Sequence, residues 1–284
     1  MPDTPRSNAT DRLDASIRAA DAIRIPADGS PPKKEAARVI VEEHVTVLVE
    51  DLGSYVLMCT PCDLRALAAG FLRSEGIIRS IDDVSMLMGC DDDPSVVRVR
   101  LANPPDELPE PGRNMIVASS CGMCGSRSIE EILEGLEPVG NSLAVSAPAL
   151  TSATEEMRAR QYLFEQTGAA HAAGVFLPSG EIIAFAEDIG RHNALDKAIG
   201  KCLLMEKATQ GCGAVLSGRV SFELVTKAAN AGIELIVAVS APSSLALDVA
   251  RRCNITLCGF VRDDRATVYT NPRRIHGLNN GGDP

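Results

Sequence analysis

The sequence predicts an α/β protein: a layered domain on a buried, largely parallel sheet, preceded by a smaller α+β region. Three observations carry this. From about residue 154 onward, helical patterns alternate with short, almost wholly apolar runs such as GAVLS (213–217) and IELIVAVS (233–240), as expected of strands covered on both faces. Earlier in the chain, Val39, Val41, Val45, Val47, Val49, Tyr55, Leu57 and Cys59 alternate at a period of two, the mark of half-buried strands. With 45% hydrophobic residues, 3% aromatic residues and no Trp, the core of the 284-residue chain has to be filled by Val, Ile, Leu and Ala.

Taken in order, residues 1–34 are polar, of mixed charge and Pro-containing, and read as a disordered tail without the apolar segment of a signal peptide. Residues 35–136 form the smaller region, beginning with the alternating strands and a hairpin near residues 51–53. Thr60, Pro61 and Asp63 supply an N-cap, a first-turn proline and an acidic first turn. The helix they open carries Leu64, Leu67, Ala68, Phe71 and Leu72 and runs to about Gly76, a residue suited to ending it. Strands near Val84 and over 96–101 lead to a Pro-rich connector (103–112), a CxxC segment, and a short amphipathic helix with Ile129, Ile132, Leu133 and Leu136.

Residues 137–153, rich in Pro, Ser and Ala, read as a linker. The larger domain spans 154–275, with helices over about 154–166, 193–207, 222–231 and 244–252. Its strands lie over 172–177, 181–187, 213–217, 233–240 and 255–261, and residues 276–284 form a second tail.

A formal charge of −10 argues against a nucleic-acid or membrane-surface partner, since either needs a basic footprint. No apolar run is long enough to predict a spanning helix, so a cytoplasmic location is expected. Nine cysteines in that compartment do not predict a disulfide framework; most should serve as small core residues.

Cys121 and Cys124 are the exception. Gly122 and Gly125 permit a tight turn, Ser126 or Ser128 can cap the following helix, and Arg127 adds a cation, conditions that favour a thiolate. Dithiol redox chemistry, metal ligation and carriage of a sulfane sulfur as a persulfide all fit this pair. Cys59 and Cys62 superficially resemble a thioredoxin motif, or could complete a four-thiolate zinc site with Cys121 and Cys124. The preferred reading is two half-buried cysteines at a strand end.

The densest polar cluster, EDIGRHNALDK (187–197), follows a strand and opens a helix, where α/β sheets commonly bind ligands. Arg191, His192 and Asn193 could donate to a phosphate or pterin, and Glu187 and Asp188 could accept from a ring N–H. Alternatively the acidic residues cap helices and Arg191 and Asp196 lie on a solvated face. Ser217, Gly218 and Arg219 also follow an apolar strand, as does the loop 260–265, whose Arg262 and Arg265 can fork onto phosphate. No complete dinucleotide or Walker motif is present. His171 begins a fragment of a zinc-deaminase signature that lacks its general-base Glu and PCxxC, so deamination is not expected.

Seven segments occur in a fixed order: TPCDL with GFLRSEGII (60–78), CGMCG (121–125), HAAGVF (171–176), EDIGRHNALDK (187–197), SGRVSFE (217–223), SAPSSLA (240–246), and GFVR with RATVYT (259–270). Together, over about residues 36–275, they resemble the FdhD family of formate dehydrogenase accessory proteins, described as sulfurtransferases. The resemblance implies a cytidine deaminase-like three-layer fold for the larger domain, without deaminase activity.

It also implies a sulfur carrier that takes sulfur from a cysteine desulfurase as a persulfide. The sulfur passes to the molybdenum cofactor, in its bis-molybdopterin guanine dinucleotide form, before insertion into formate dehydrogenase. By position, Cys121 resembles the persulfide cysteine and Cys124 its companion. Phe260, Val261, Arg262, Asp263, Asp264 and Arg265 resemble the cofactor-binding loop, with Asp263 where the family often carries glycine. A homodimer is implied, and no zinc is expected. Two competing readings are a chaperone that holds the cofactor through 187–193, 217–219 and 260–265 without moving sulfur, and a zinc-stabilised scaffold.

Overall fold

The structure, a computed structural model, describes residues 13–50, 52–103, 114–117 (backbone only), 133–262 and 265–278. The expected CxxC, Cys121 and Cys124, and the loop residues Asp263 and Asp264 lie outside the described residues.

Strands β3 (Glu43–Val49) and β4 (Gly53–Cys59) form the expected hairpin, paired from Glu43–Cys59 to Val49–Gly53. With β5 (Val84–Gly89), β6 (Val96–Leu101) and β7 (Asn114–Val117) they build a five-stranded sheet ordered β5-β6-β3-β4-β7. Val45, Val47 and Val49 face inward, as their period of two requires. Helix α1 (Leu64–Ser74) packs Leu67, Ala68, Phe71 and Leu72 on this sheet. Gly76 follows at φ +75°, the left-handed backbone expected at a helix end.

The other side of α1 meets α4 (Arg191–Leu204) almost backbone to backbone. A Cβ on Gly70 would lie 1.7 Å from the Asp196 carbonyl oxygen, and one on Gly200 would lie 1.8 Å from that of Ala66. Glycine at both positions is what lets the two helices touch. Ser74 and Lys227 close the joint through the Asp196 carboxylate at 2.6 and 2.9 Å.

The larger sheet contains β8 (His171–Phe176), β9 (Ile182–Asp188), β10 (Gly213–Leu216), β11 (Leu235–Ala238), β12 (Thr256–Arg262) and β13 (Arg265–Thr270) in the order β13-β12-β11-β10-β8-β9. It is mixed, which corrects the expected largely parallel sheet. Only β10–β11 and β11–β12 are parallel, joined by crossovers through α5 (Phe222–Asn230) and α6 (Ser244–Arg252). The pairs β8–β9, β8–β10 and β12–β13 are antiparallel. Burial on both faces writes the same apolar run into a strand of either direction, so composition could not report polarity.

Helices α4, α5 and α6 cover one face through residues such as Leu195, Ile199, Leu224, Val225 and Val249. The opposite face carries α2 (Ala147–Ala159) through Leu150, Ala153 and Met157, giving three layers. Residues 137–153 are therefore not a linker. Leu143, Val145 and Leu150 are buried, and α2 starts inside that segment with the Ser146 side chain accepting from Ala149 N. Its proline sits in the first helical turn, where a missing N–H costs nothing. Ahead of the helix, the buried Glu234 carboxylate accepts from Ser142 Oγ at 2.7 Å, Leu143 N at 2.9 Å, Gly211 N at 3.1 Å and Arg274 Nε at 3.2 Å. The single helix expected over 154–166 is two, α2 and α3 (Tyr162–Thr167), the second ended by Gly168 at φ +70°.

The expected disordered tail also needs correction within 13–34. Strands β1 (Ile17–Arg24) and β2 (Lys33–Ile40) pair as an antiparallel ribbon, with Arg24 forked onto Glu35 at 2.8 and 2.9 Å. No residue of either strand is buried. With no fully buried position, only the end of β2 near Val39 carries an alternating apolar signal, and the rest of the ribbon reads like a tail.

Candidate functional site

The register of the larger sheet gathers the polar segments at one end. His171 lies opposite Asp188, Ala173 opposite Leu216, Leu216 beside Ala238, and Val237 beside Cys258. The start of β8 therefore shares an edge with the ends of β9 to β12. Hydrogen bonds sew the loops there into a continuous rim: Ser217 N to Ala172 O at 3.0 Å, Val239 N to Leu216 O at 3.1 Å, Ser243 N to Val220 O at 2.9 Å and Phe260 N to Ser240 O at 3.2 Å. Segments 187–193, 217–219 and 260–262, far apart in sequence, meet on this rim.

Much of the 187–197 cluster is committed to structure. Glu187 is buried and its two oxygens accept from Leu163 N at 2.8 Å and Phe164 N at 2.9 Å, capping α3. Burial raises its carboxyl above the usual range, against the pull of those N–H groups. Asp188 accepts from Thr60 N at 3.0 Å, Gly190 N at 2.8 Å and Asn193 Nδ2 at 2.9 Å, and pairs with Lys197 Nζ at 2.6 Å. Asn193 also donates to Met58 O at 2.8 Å. The expectation that Glu187 and Asp188 accept from a ligand ring, or that Asn193 donates to one, is thus corrected. Their hydrogen-bonding capacity anchors α1 and α3 to the sheet.

Thr60 and Lys197 were missed as anchors. Thr60 does not cap α1, whose N-cap is Asp63; instead its Oγ1 accepts from Ile189 N at 3.0 Å and its carbonyl from Lys197 Nζ at 2.9 Å. A lysine nine residues beyond Asp188, amid small apolar residues, was the available signal.

Several groups at the rim are cationic, and Glu223, in the first turn of α5, has a buried Oε2 without a hydrogen-bond partner among the described residues. Arg191 opens α4, whose N-cap Gly190 provides no side-chain cap. Gly218 lies between Arg191 and His171: a Cβ there would be 3.3 Å from His171 Nδ1 and 3.9 Å from Arg191 Cδ. Arg191 Nε is buried without a hydrogen-bond partner among the described residues. Burial pushes the His171 imidazole below the ordinary histidine range; Arg191 and Arg219 act in the same direction, and Asp188 opposes them. His192 Nε2 lies 3.4 Å from Ser221 Oγ.

At the far end of the rim the β12–β13 register slips between Gly259 and Arg262. This bulge places Phe260 at φ +53°, a conformation side chains disfavour, and leaves it 42% exposed. Val261 is fully buried in the core, so its side chain is turned away from any ligand on the rim. Arg262 and Arg265 stand directly opposite each other, both exposed, a like-charge pairing that an anion between them would relieve.

Cys59 and Cys62 are buried, Cys62 with its Sγ 3.6 Å from Lys197 Nζ. Burial pushes the Cys59 thiol up to about 12 and raises Cys62 as well, so both are protonated and unreactive at neutral pH. Among the described residues no group of three or more His, Cys, Asp or Glu is placed to hold a metal ion. A four-thiolate site would require Cys121 and Cys124, outside those residues. No helix among the described residues is long and apolar enough to cross a membrane.

This sequence and this fold are similar to those of known proteins. Proteins named sulfur carrier protein FdhD are similar along most of their length. The one from Bordetella bronchiseptica is 39% identical over 245 residues, covering 85% of this chain and 88% of its own. The one from Anaeromyxobacter dehalogenans (strain 2CP-1) is 42% identical over 254 residues, covering 84% and 88%. The one from Saccharolobus solfataricus is 35% identical over 266 residues, covering 92% and 98%. A crystal structure from Desulfotalea psychrophila, provisionally described as a formate dehydrogenase accessory protein, superposes with a TM-score of 0.72 at 26% identity, covering 91% of this chain and 99% of that one. The model of the FdhD/NarQ family matches residues 40–276, and with relatives this similar the chain belongs to the FdhD/NarQ family.

Proposed function

We propose that this protein is a sulfur carrier of the sulfurtransferase type. It accepts sulfur from a cysteine desulfurase as a persulfide on Cys121 and passes it to the molybdenum cofactor, in the bis-molybdopterin guanine dinucleotide form, before insertion into formate dehydrogenase. The similarity to proteins named sulfur carriers supports the role, and the Gly-flanked Cys121 and Cys124 supply thiols suited to it. The observation that carries the cofactor half of the reading is the cationic rim. Arg191, Arg219, Arg262 and Arg265 lie at the ligand-binding end of an α/β sheet in a chain of net charge −10.

In chemical terms, the Cys121 thiolate attacks the donor's terminal sulfur, releases the donor thiolate and becomes Cys121-S-S(−). For delivery, the Cys124 thiolate attacks Cys121 Sγ. The terminal sulfur leaves as hydrosulfide for the cofactor, a Cys121–Cys124 disulfide forms, and a cellular dithiol reduces it again.

A second reading, a chaperone that holds the cofactor without moving sulfur, draws on the same cationic rim. Intact-mass spectrometry of wild type and Cys121→Ser after incubation with a cysteine desulfurase and cysteine separates the two. The carrier reading expects a reductant-labile gain of one sulfur in wild type alone. No gain in wild type, with an active desulfurase control, would leave the chaperone.

A further inference from the structure

We propose that His171, Arg191 and Arg219 form a three-cornered subsite for a phosphate or diphosphate group at the rim of the larger sheet. The inference deepens the cofactor-binding part of the proposed function and rests on it.

Four observations converge on these side chains. Arg191 and Arg219 both act on His171 electrostatically, and neither forms an ion pair with a carboxylate among the described residues. The Nε of Arg191 is buried with no hydrogen-bond partner among those residues, a costly state for a charged donor that a bound anion would end. The backbone at Gly218 comes close to two of these side chains, where a Cβ would stand 3.3 Å from His171 Nδ1 and 3.9 Å from Arg191 Cδ, so a small group can sit against the loop without a side chain in between. Finally, the first turn of α4, which Arg191 opens, has no side-chain cap on its N–H groups.

The charges around His171 decide how it responds. It faces Arg191 from α4, Asp188 from β9 and Arg219 from the loop after β10. Burial is the largest influence lowering the His171 imidazole, Arg191 and Arg219 add to it, and Asp188, itself paired with Lys197 at 2.6 Å, opposes them. A phosphate oxygen between the arginines reverses this field. His171 then takes one proton from solvent and becomes a third charge-assisted donor to the anion. Arrival and release of the ligand are in this way tied to uptake and loss of one proton.

The test is proton NMR of the histidine Cε1–H resonances with and without inorganic pyrophosphate. The chain has four His, and His171→Gln identifies the relevant signal. The expected result is an upward move of the His171 titration midpoint by about one pH unit or more with pyrophosphate bound. Arg191→Gln and Arg219→Gln, each checked for wild-type circular dichroism and melting, should each weaken pyrophosphate binding at least tenfold and abolish the move. A wild type that does not bind pyrophosphate, or an unmoved midpoint in the bound state, overturns the proposal, as does wild-type affinity in both Arg variants. If guanosine diphosphate binds in that case, the cofactor reading survives and the diphosphate sits elsewhere. The persulfide assay on the wild-type protein separates the remaining claim: a reductant-labile gain of one sulfur there supports the carrier half of the reading independently of where the anion binds.

Discussion

The Lys197 ammonium lies 2.6 Å from the Asp188 carboxylate with both side chains fully buried, and between them they hold Thr60, Gly190 and Asn193 in place. This pair pins the start of the first helix, 128 residues earlier in sequence than Asp188, to the edge of the larger sheet. Burial alone would favour neutral Lys197, but the Asp188 charge holds it protonated, above the ordinary lysine range.

Asp188→Ala leaves a buried ammonium facing only the Thr60 carbonyl and the Cys62 sulfur, with no counter-charge. A loss of about 3–5 kcal/mol is expected. Urea denaturation measures it, and the double variant Asp188→Ala/Lys197→Met should recover part of the loss; an equally unstable double variant would show that the backbone hydrogen bonds, not the stranded charge, set the cost.

Gly70→Ala drives a methyl to within 1.7 Å of the Asp196 carbonyl oxygen, and neither helix backbone can yield without displacing the sheet beneath it. The expected cost is about 3 kcal/mol, at the upper end of the range usual for overpacking. Gly89→Ala, at a site with nothing within 4 Å, is the control and should melt within a few degrees of wild type.

Glu234 gives a pH signature. Its burial opposes ionisation, yet Ser142, Leu143, Arg274 and Gly211 together hold its pKa below the ordinary carboxylate value. A depressed folded-state pKa adds stability above the unfolded pKa, and that stability is lost as pH falls through the folded value. Glu234→Gln should therefore cost about 1.5–3 kcal/mol at pH 7, with the gap to wild type narrowing below pH 4. A gap independent of pH in urea melts would assign the loss to shape rather than charge.

Cysteine reactivity should divide sharply. Burial pushes Cys59, Cys202 and Cys258 up to about 12, so native-state alkylation with iodoacetamide at pH 7.5 should leave them unlabelled until denaturant is added. Peptide mass spectrometry reads the outcome, and early labelling of Cys59 would contradict its buried, protonated state.

The strand and helix positions were legible because they are local. Val45, Val47 and Val49 write the inner face of a strand, and Leu67, Phe71 and Leu72 that of a helix, without reference to distant parts of the chain. The β1–β2 ribbon was legible only at its end near Val39, since strands with no buried position leave little pattern to read. Residues 137–153 misled for a different reason: their Pro and Ser serve a helix start, and Glu234 anchors them from about ninety residues away.

The site shows the same division. By itself the sequence determined the family, the order of the motifs and the chemical character of each cluster, because those are properties of residues and their spacing. Only the tertiary structure decided which polar residues are spent on the fold. Glu187, Asp188 and Asn193 looked equivalent to Arg191 as ligand contacts, yet their partners are Leu163, Thr60 and Met58 on other elements, whereas the buried Arg191 Nε has no partner among the described residues. A hydrogen-bonding group has the same chemistry whether it is satisfied by protein or by ligand. Its partner is set by how strands and helices come together, and neither periodicity nor spacing records that.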